Sequence, residues 1–379
     1  MNPHINKQLL WTIIIVTQLS CNSTKENTGM FPSPFSHTQT STVKLSEIGG
    51  NHVDVISLET TAESLLGTIN KIVEFDKDYY VLSNDRWICR FDLEGRFISK
   101  LNRLGNGPGE YSYIGDFDVY DVNGRKELWL CDFKSIMRYD VDSLKYVGSI
   151  EFSYVVNKFI RYKEDRILLM AGQNENSLAV VDTSGNCLKE YLPKQVPFLS
   201  FRAVQFIPMG ENILFQLGMS NSVVEFTPGS EEFQTKRLFE DDVLLTDSEL
   251  VELYEKMETD FLRELKNRKY VGHIRFTKNR SHFTIRKEGD ILYYSIGKDG
   301  NKLSVPITEK SGLFQNDLFD YQETDFLMTL DIGLSDRSTI FYIQPRIDKE
   351  EIEFQFKDKV IRLNEESNPC LVVFMNRRS

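Results

Sequence analysis

The chain has 379 residues, of which 41% are hydrophobic and 27% charged, so it can bury a large core and is not a disordered polymer. A net charge of -11 leaves no excess of Lys and Arg to neutralise phosphates, which excludes a dedicated nucleic-acid binder. The 26 Phe and 16 Tyr favour sheet over helix.

In chain order, the first element is an export signal over 1–20. Lys7 supplies the positive end and Leu9 to Leu19 an apolar run, well short of the ~20 residues a membrane-spanning helix needs. Gln18-Leu19-Ser20-Cys21 follows and looks like a bacterial lipobox, with small Ser20 before the Cys and Gln18 where Leu is usual. Cleavage before Cys21 and acylation of its thiol would anchor the protein without a spanning helix. A plain secretory signal with an incidental Cys is the competing reading. Residues 21–50 are rich in Ser, Thr, Asn and Pro and predict a flexible tether.

From 51 to 379 the chain reads as a β repeat. Short strands and tight turns recur in five copies: Thr68 to Ser99, Ile114 to Ile150, Val156 to Tyr191, about 202–240 and about 271–308. Asp92, Asp140, Asp182, Thr227 and Gly297 each follow the third strand of a copy. Four strands in about 45 residues is a propeller-blade period. The period and length predict an all-β protein: a six-bladed β-propeller of four-stranded antiparallel blades with one helical insertion, a different blade count being the competing reading. Val53 to Leu58 and Leu371 to Phe374 are lone strands at the two ends, and pairing them would close the ring. Residues 316–369 resolve poorly, with a strand near Ser338 to Ile343 and an amphipathic stretch near Lys349 to Leu363. The insertion spans about 246–269. Thr246 and Glu249 form a capping-box pattern, and Leu250, Leu253, Tyr254, Met257, Phe261 and Leu265 recur at helical spacing. Burial of Leu253, Met257 and Phe261 against the propeller is the expectation.

Leu104-Gly105-Asn106-Gly107-Pro108-Gly109-Glu110-Tyr111 could be mistaken for a phosphate-binding loop. Such loops open a helix, whereas Ile114 to Tyr120 reads as a strand, so the segment is a crossover between blades. It resembles the G-x-G-P-G-E-Y signature of six-bladed β-propeller lipoproteins of anaerobic gut bacteria and is similar to the linker of NHL-repeat propellers. Phe91-Asp92-Leu93-Glu94-Gly95-Arg96-Phe97 matches the blade phrase F-D-x-x-G-x-F of that family, and Ser367-Asn368-Pro369-Cys370-Leu371-Val372 its closing segment. The resemblance implies fold and envelope location, and it implies no activity.

Chemistry-bearing residues are sparse. Cys89, Cys131, Cys187 and Cys370 sit in or beside apolar runs without a C-x-x-C pair; they read as buried thiols, with one disulfide among them left open. His37 and His52 precede the repeats. His273 alternates with Arg275, and Asp116 with Asp118, on strands expected at the channel. Carboxylates so placed satisfy backbone groups at a channel mouth, hold calcium or act as acid and base. In the polar loops joining second and third strands, Arg86, Trp87, Phe133 and Lys134 are candidates to stack on and hold a ligand. No metal site, cofactor or catalytic motif is predicted. Two functions remain. The first is a non-catalytic lipoprotein of the cell envelope, on the outer membrane, that binds a glycan, peptide or protein through the propeller face. The second is a hydrolase or lyase with a metal or acid–base site in the channel.

Overall fold

The computed structural model describes residues 29–36, 43–44, 53–171, 175–194, 206–257, 259–276, 280–288, 290–307, 314–315, 326–329, 338–345 and 351–375. The signal, Cys21, His37 and His52 lie outside them.

Five blades are contiguous four-stranded meanders. Blade 1 comprises Ile69–Phe75, Asp78–Ser83, Trp87–Asp92 and Phe97–Leu101; blade 2 comprises Asp116–Val122, Arg125–Asp132, Ser135–Asp140 and Tyr146–Glu151. Blade 3 comprises Val156–Lys163, Arg166–Ala171, Asn176–Asp182 and Cys187–Pro193; blade 4 comprises Ile207–Met209, Asn212–Phe215, Ser222–Thr227 and Glu232–Arg237. Blade 5 comprises Lys269–Phe276, Arg280–Lys287, Asp290–Gly297 and Lys302–Ile307. Neighbouring strands in every blade are antiparallel.

Burial follows position in the blade. A second strand is sandwiched between adjacent blades, so both of its faces are apolar; Asp78–Ser83 is buried throughout. A fourth strand forms the outer edge, and Cys187–Pro193 is largely exposed. The core therefore lies in radial layers. Val73, Tyr80, Phe117 and Tyr139 fill the space between blades 1 and 2, and Trp129, Phe159 and Leu169 that between blades 2 and 3. Leu168, Met170, Phe215 and Phe226 fill the next layer, and Leu214, Phe239, Phe283 and Tyr294 the one between blades 4 and 5. The first strands of adjacent blades abut around the axis.

The five positions read from the repeat are each the last residue of a third strand. In blade 1, Asp92 Oδ1 accepts the backbone N–H groups of Glu94 and Arg96 at 3.0 and 2.9 Å. Gly95 then takes φ 83°, and its backbone lies against Ser57 O of the preceding sheet, where a Cβ would clash. Blade 3 repeats the device with Asp182 and Gly185.

The structure has five such blades where the sequence predicts six. The strands left over do not make a sequential meander. They form a composite sheet in the order Val53–Ser57, Cys370–Met375, Ser338–Pro345, Phe326–Thr329. The expected closure is present: Val53 pairs with Phe374 and Ser57 with Cys370, antiparallel. The amphipathic stretch near its end is a hairpin, Glu351–Phe356 and Lys359–Asn364, whose strands alternate between buried and exposed residues. It is anchored by Lys357 Nζ, which donates to Val53 O at 3.0 Å.

The insertion is two helices, α1 (Asp247–Lys256) and α2 (Phe261–Leu265). The Thr246–Glu249 capping box is complete. Leu250, Leu253, Phe261 and Leu265 are buried with Met219 and Tyr270, so the pair covers the junction of blades 4 and 5. Met257, expected in that stripe, is 40% exposed. The chain leaves helical geometry there (φ -137°, ψ 36°), which breaks the periodicity and swings α2 back over the same cluster.

Part of the predicted tether is seated on the propeller. Phe31 forms a parallel bridge with Phe239, and its ring meets those of Phe239, Phe276 and Phe283 at 6.1, 6.2 and 5.1 Å. Val43–Lys44 pairs in parallel with Phe314–Gln315. Cys89, Cys131, Cys187 and Cys370 are free thiols; three are buried, and Cys187, on an outer strand, is exposed.

Candidate functional site

A meander places its second-to-third-strand turns and its interblade crossovers on one face. That face carries the candidate loops, and the opposite face carries the remaining turns. On the first face, the Gly-rich crossover closes on itself. Gly107 N donates to Glu110 Oε2 at 2.9 Å, Glu110 N to Gly107 O at 3.0 Å and Gly105 N to Tyr111 O at 3.0 Å. The buried Tyr111 hydroxyl donates to Arg86 O at 2.8 Å and accepts from Arg103 N at 3.2 Å. These bonds hold the loop in its own shape, and the Tyr139 hydroxyl, donating to Gly109 O at 3.1 Å, ties it to blade 2.

At the mouth of the channel the first strands of blades 1, 2 and 3 bring charges together. Blades 1 and 3 each carry an Asn-Lys pair at the start of that strand, Asn70-Lys71 and Asn157-Lys158. A bulge interrupts the ladder there in both, between Ile69 and Lys71 and between Val156 and Lys158. Blade 2 has Gly115-Asp116 at the matching place. Lys71 Nζ lies 2.9 Å from Asp116 Oδ1, and Lys158 Nζ lies 3.8 Å from the same oxygen. Lys71 Nζ also donates to Phe117 O at 2.7 Å, Lys158 Nζ to Gly115 O at 2.9 Å, and Phe159 N to Asp116 Oδ2 at 3.3 Å. Asp116 is thus a buried clasp that ties three blades together, in line with the plain structural role for such a carboxylate.

Asp118 is half-buried below it. Its Oδ1 accepts from Val119 N at 2.8 Å and its Oδ2 from the Tyr120 hydroxyl at 3.3 Å. Burial raises its carboxyl above the usual range, and Lys71 pulls it part of the way back. Burial works against the charge of Lys71, yet Asp116 and Asp118 outweigh it and the ammonium is held above its ordinary value. Arg275, from blade 5, adds like charge toward Lys71.

Next to this clasp, Phe133 is 51% exposed and its ring rests on Tyr113 at 4.5 Å. Its φ of 46° is a left-handed backbone that a bulky residue rarely adopts. Phe133 O accepts from Val156 N at 2.7 Å, which ties this turn to the start of the first strand of blade 3. The Asn157 Nδ2 is buried without a hydrogen-bond partner. Asp85, whose carboxyl is raised by burial and lowered by Lys158, completes the group. Burial, then Cys131, Asp132 and Asp85, push the Tyr113 hydroxyl up to about 12.

Of the residues read from sequence, Asp116, Asp118 and Phe133 lie at this mouth, while Arg275, near the far end of the first strand of blade 5, reaches Lys71 only through its charge. Trp87 is half-buried in the layer between the composite sheet and blade 1, with Lys100 Nζ 4.5 Å from its ring centre. Arg86 and Lys134 are exposed, and their carbonyls accept from Tyr111 and Phe152. The His273 side chain lies outside the described residues. The buried imidazole is His282, whose Nδ1 is 2.8 Å from the Tyr293 hydroxyl. Burial, then Arg280 and Arg275, push it down to about 3. Asp85 belongs to the polar loop already read as ligand-facing; Lys71, Tyr113, Asn157 and Lys158 escaped the sequence reading, and the repeated Asn-Lys pair was the signal that could have found Lys71, Asn157 and Lys158. Among the described residues, no three of His, Cys, Asp and Glu gather as metal ligands, and no helix is long and apolar enough to cross a membrane.

Residues 33–375 match the model of DUF4934, a domain of unknown function. No curated protein matches the chain in sequence. Among solved structures, the chain is similar to a Bacteroides fragilis protein described as exported, at 15% identity and a TM-score of 0.65, with 90% of this chain and 100% of that one covered. It is also similar to a member of the duf4221 family from Bacteroides vulgatus, at 10% identity and a TM-score of 0.49, covering 86% and 98% of the two chains.

Proposed function

The chain belongs to the DUF4934 family, whose function is unknown, and we propose that it is a non-catalytic binding protein of the bacterial cell envelope, held to the outer membrane by lipid on Cys21. In this reading the composite sheet completes the ring as a sixth blade, in the manner of NHL-repeat propellers. The ligand is a glycan, and peptide and protein ligands are the competing outcomes of the test. The observation that carries the reading is Phe133. A half-exposed ring, braced from behind by Tyr113 and held in a costly backbone conformation, is a platform for the apolar face of a sugar. Asp85, whose charge is felt by the Tyr113 that braces the ring, offers a carboxylate to bond hydroxyls.

Oligosaccharide arrays, followed by calorimetry on any sugar retained, test this. Phe133→Ala should weaken binding at least about tenfold while the thermal midpoint stays close to that of the parent. Retention only of peptides, or full affinity in the Phe133→Ala protein, would overturn the glycan assignment. Release of cleaved sugar, lost in Asp118→Asn, would overturn the non-catalytic part.

A further inference from the structure

We infer that the ligand of the propeller mouth is an acidic sugar, whose carboxylate is received by the ammonium groups of Lys71 and Lys158 and the amide of Asn157. The inference rests on the glycan reading of Phe133 and names the class of sugar; the test below separates the two.

The polar groups of the clasp leave donors over. An ammonium has three N–H groups and accepts nothing. Lys71 Nζ uses two, on Asp116 Oδ1 at 2.9 Å and on Phe117 O at 2.7 Å. Lys158 Nζ uses one, on Gly115 O at 2.9 Å. At 3.8 Å from Asp116 Oδ1 it meets that carboxylate as a charge, beyond hydrogen-bond length. The Asn157 Nδ2, one residue before Lys158, is buried without a partner. The acceptors of the clasp, by contrast, are occupied. Asp116 Oδ2 takes Phe159 N at 3.3 Å, and the oxygens of Asp118 take Val119 N and the Tyr120 hydroxyl. Burial raises the Asp118 carboxyl and so weakens it as a counter-charge, while Arg275 adds positive charge from blade 5. Each lysine side chain keeps 19% of its surface exposed, so neither is sealed from a ligand. The bulges at the start of both first strands re-aim the two lysines, and both reach one carboxylate on the blade between them.

Tyr113 joins this group to the stacking platform. Its ring carries that of Phe133 at 4.5 Å, and a Cβ on Gly115 would stand 3.0 Å from its hydroxyl. Gly115 O is in turn the acceptor of Lys158. Platform and ammonium are thus separated by one tyrosine side chain and one glycine, an interval that a short oligosaccharide covers. The exposed carboxylate of Asp85, which Lys158 attracts, is left to take hydroxyls.

Calorimetry with a galacturonate trimer and with its methyl ester, which has the same rings and no charge, tests this. The acid should bind at least about tenfold tighter than the ester, and added salt should weaken the acid alone. Lys158→Met should bring the two affinities together, and Lys158→Arg should restore most of the difference. Because Lys158 also holds Gly115 O, Asn157→Ala is the second variant: it leaves the clasp in place and should still narrow the difference. Equal binding of acid and ester, a difference undiminished in both Lys158→Met and Asn157→Ala, or a preference for a sulfated over a carboxylated sugar would overturn the inference and leave the glycan reading standing. A full acid preference at unchanged affinity in Phe133→Ala would overturn the platform and leave the anion site standing. Retention of no sugar at all would overturn both.

Discussion

The crossover between blades 1 and 2 takes the few residues from Leu101 to Asp116, and its glycines, Glu110 and Tyr111 bond one another. The crossover between blades 4 and 5 runs from Arg237 to Lys269 and, beyond its helix cap and a few turn bonds, depends on distant partners. It is filled by two helices, and by a strap from the far end of the chain, all gathered around Phe239 and the cluster under α1. One junction is specified locally and by polar geometry. The other is specified by apolar surface that arrives from three separate segments. The local junction is rigid at low cost in chain length; the distant one couples the N-terminal segment to the ring.

The largest effect expected from breaking this contrast is at Phe239, which is fully buried among the rings of Phe31, Phe283 and Tyr294. Phe239→Ala should cost about 3–5 kcal/mol, seen as a lower urea midpoint, and should release Gly29–Ser36 to proteolysis. A loss of under about 1 kcal/mol would mean that the strap and helices repack without it.

Acid should separate the two junctions next. The first contains no histidine, whereas blade 5 buries His282 in its neutral form. Its folded value of about 3 lies below the unfolded value near 6.5, so above pH 6.5 neither state is charged and stability is full. As pH falls from about 6.5 toward 3, only the unfolded chain takes the proton, and stability drops by up to about 1.4 kcal/mol per pH unit. His282→Gln should flatten the dependence of the urea midpoint on pH between 6 and 4.5. An unchanged slope would place the acid sensitivity elsewhere.

At the local junction, Tyr111→Phe keeps the ring and removes the hydroxyl that joins Arg86 O, Leu101 O and Arg103 N, at a cost of about 1–2 kcal/mol. Thr246→Ala removes the cap of α1 and should cost about 1 kcal/mol, the smallest of the four. If the cap proves dearer than the hydroxyl, the helices carry the ring more than their covering role suggests.

What the sequence revealed depended on how local the cause was. The third-strand ends at Asp92 and Asp182 were legible because an Asp followed by a turn glycine is a short-range device. The closing pair was legible because both of its strands are isolated apolar runs. The exposure of Met257 was not legible, because helical periodicity carries no mark of where a helix breaks. The seating of Phe31 was hidden for a related reason: a Phe in a polar, Pro-rich segment has no period, and its pocket is built from residues some 200 positions away. At the mouth, Phe133 was visible as an aromatic residue in a polar loop. The lysine clasp was missed because Lys71 and Lys158 read singly as solvent-facing charges, and only their shared place in two blades gives them meaning.

The closing strand pair also sets an order of events. Ser57 and Cys370 face each other across the composite sheet although 313 residues separate them along the chain. A ribosome finishes the partner of Val53–Ser57 only after all five meanders, so the ring stays open during synthesis and its first layer lacks one wall. Were the chain exported through a narrow translocase, as the signal read over 1–20 predicts, this late completion would be useful: the step that locks the body into a shape too wide to pass would be the last one synthesis permits.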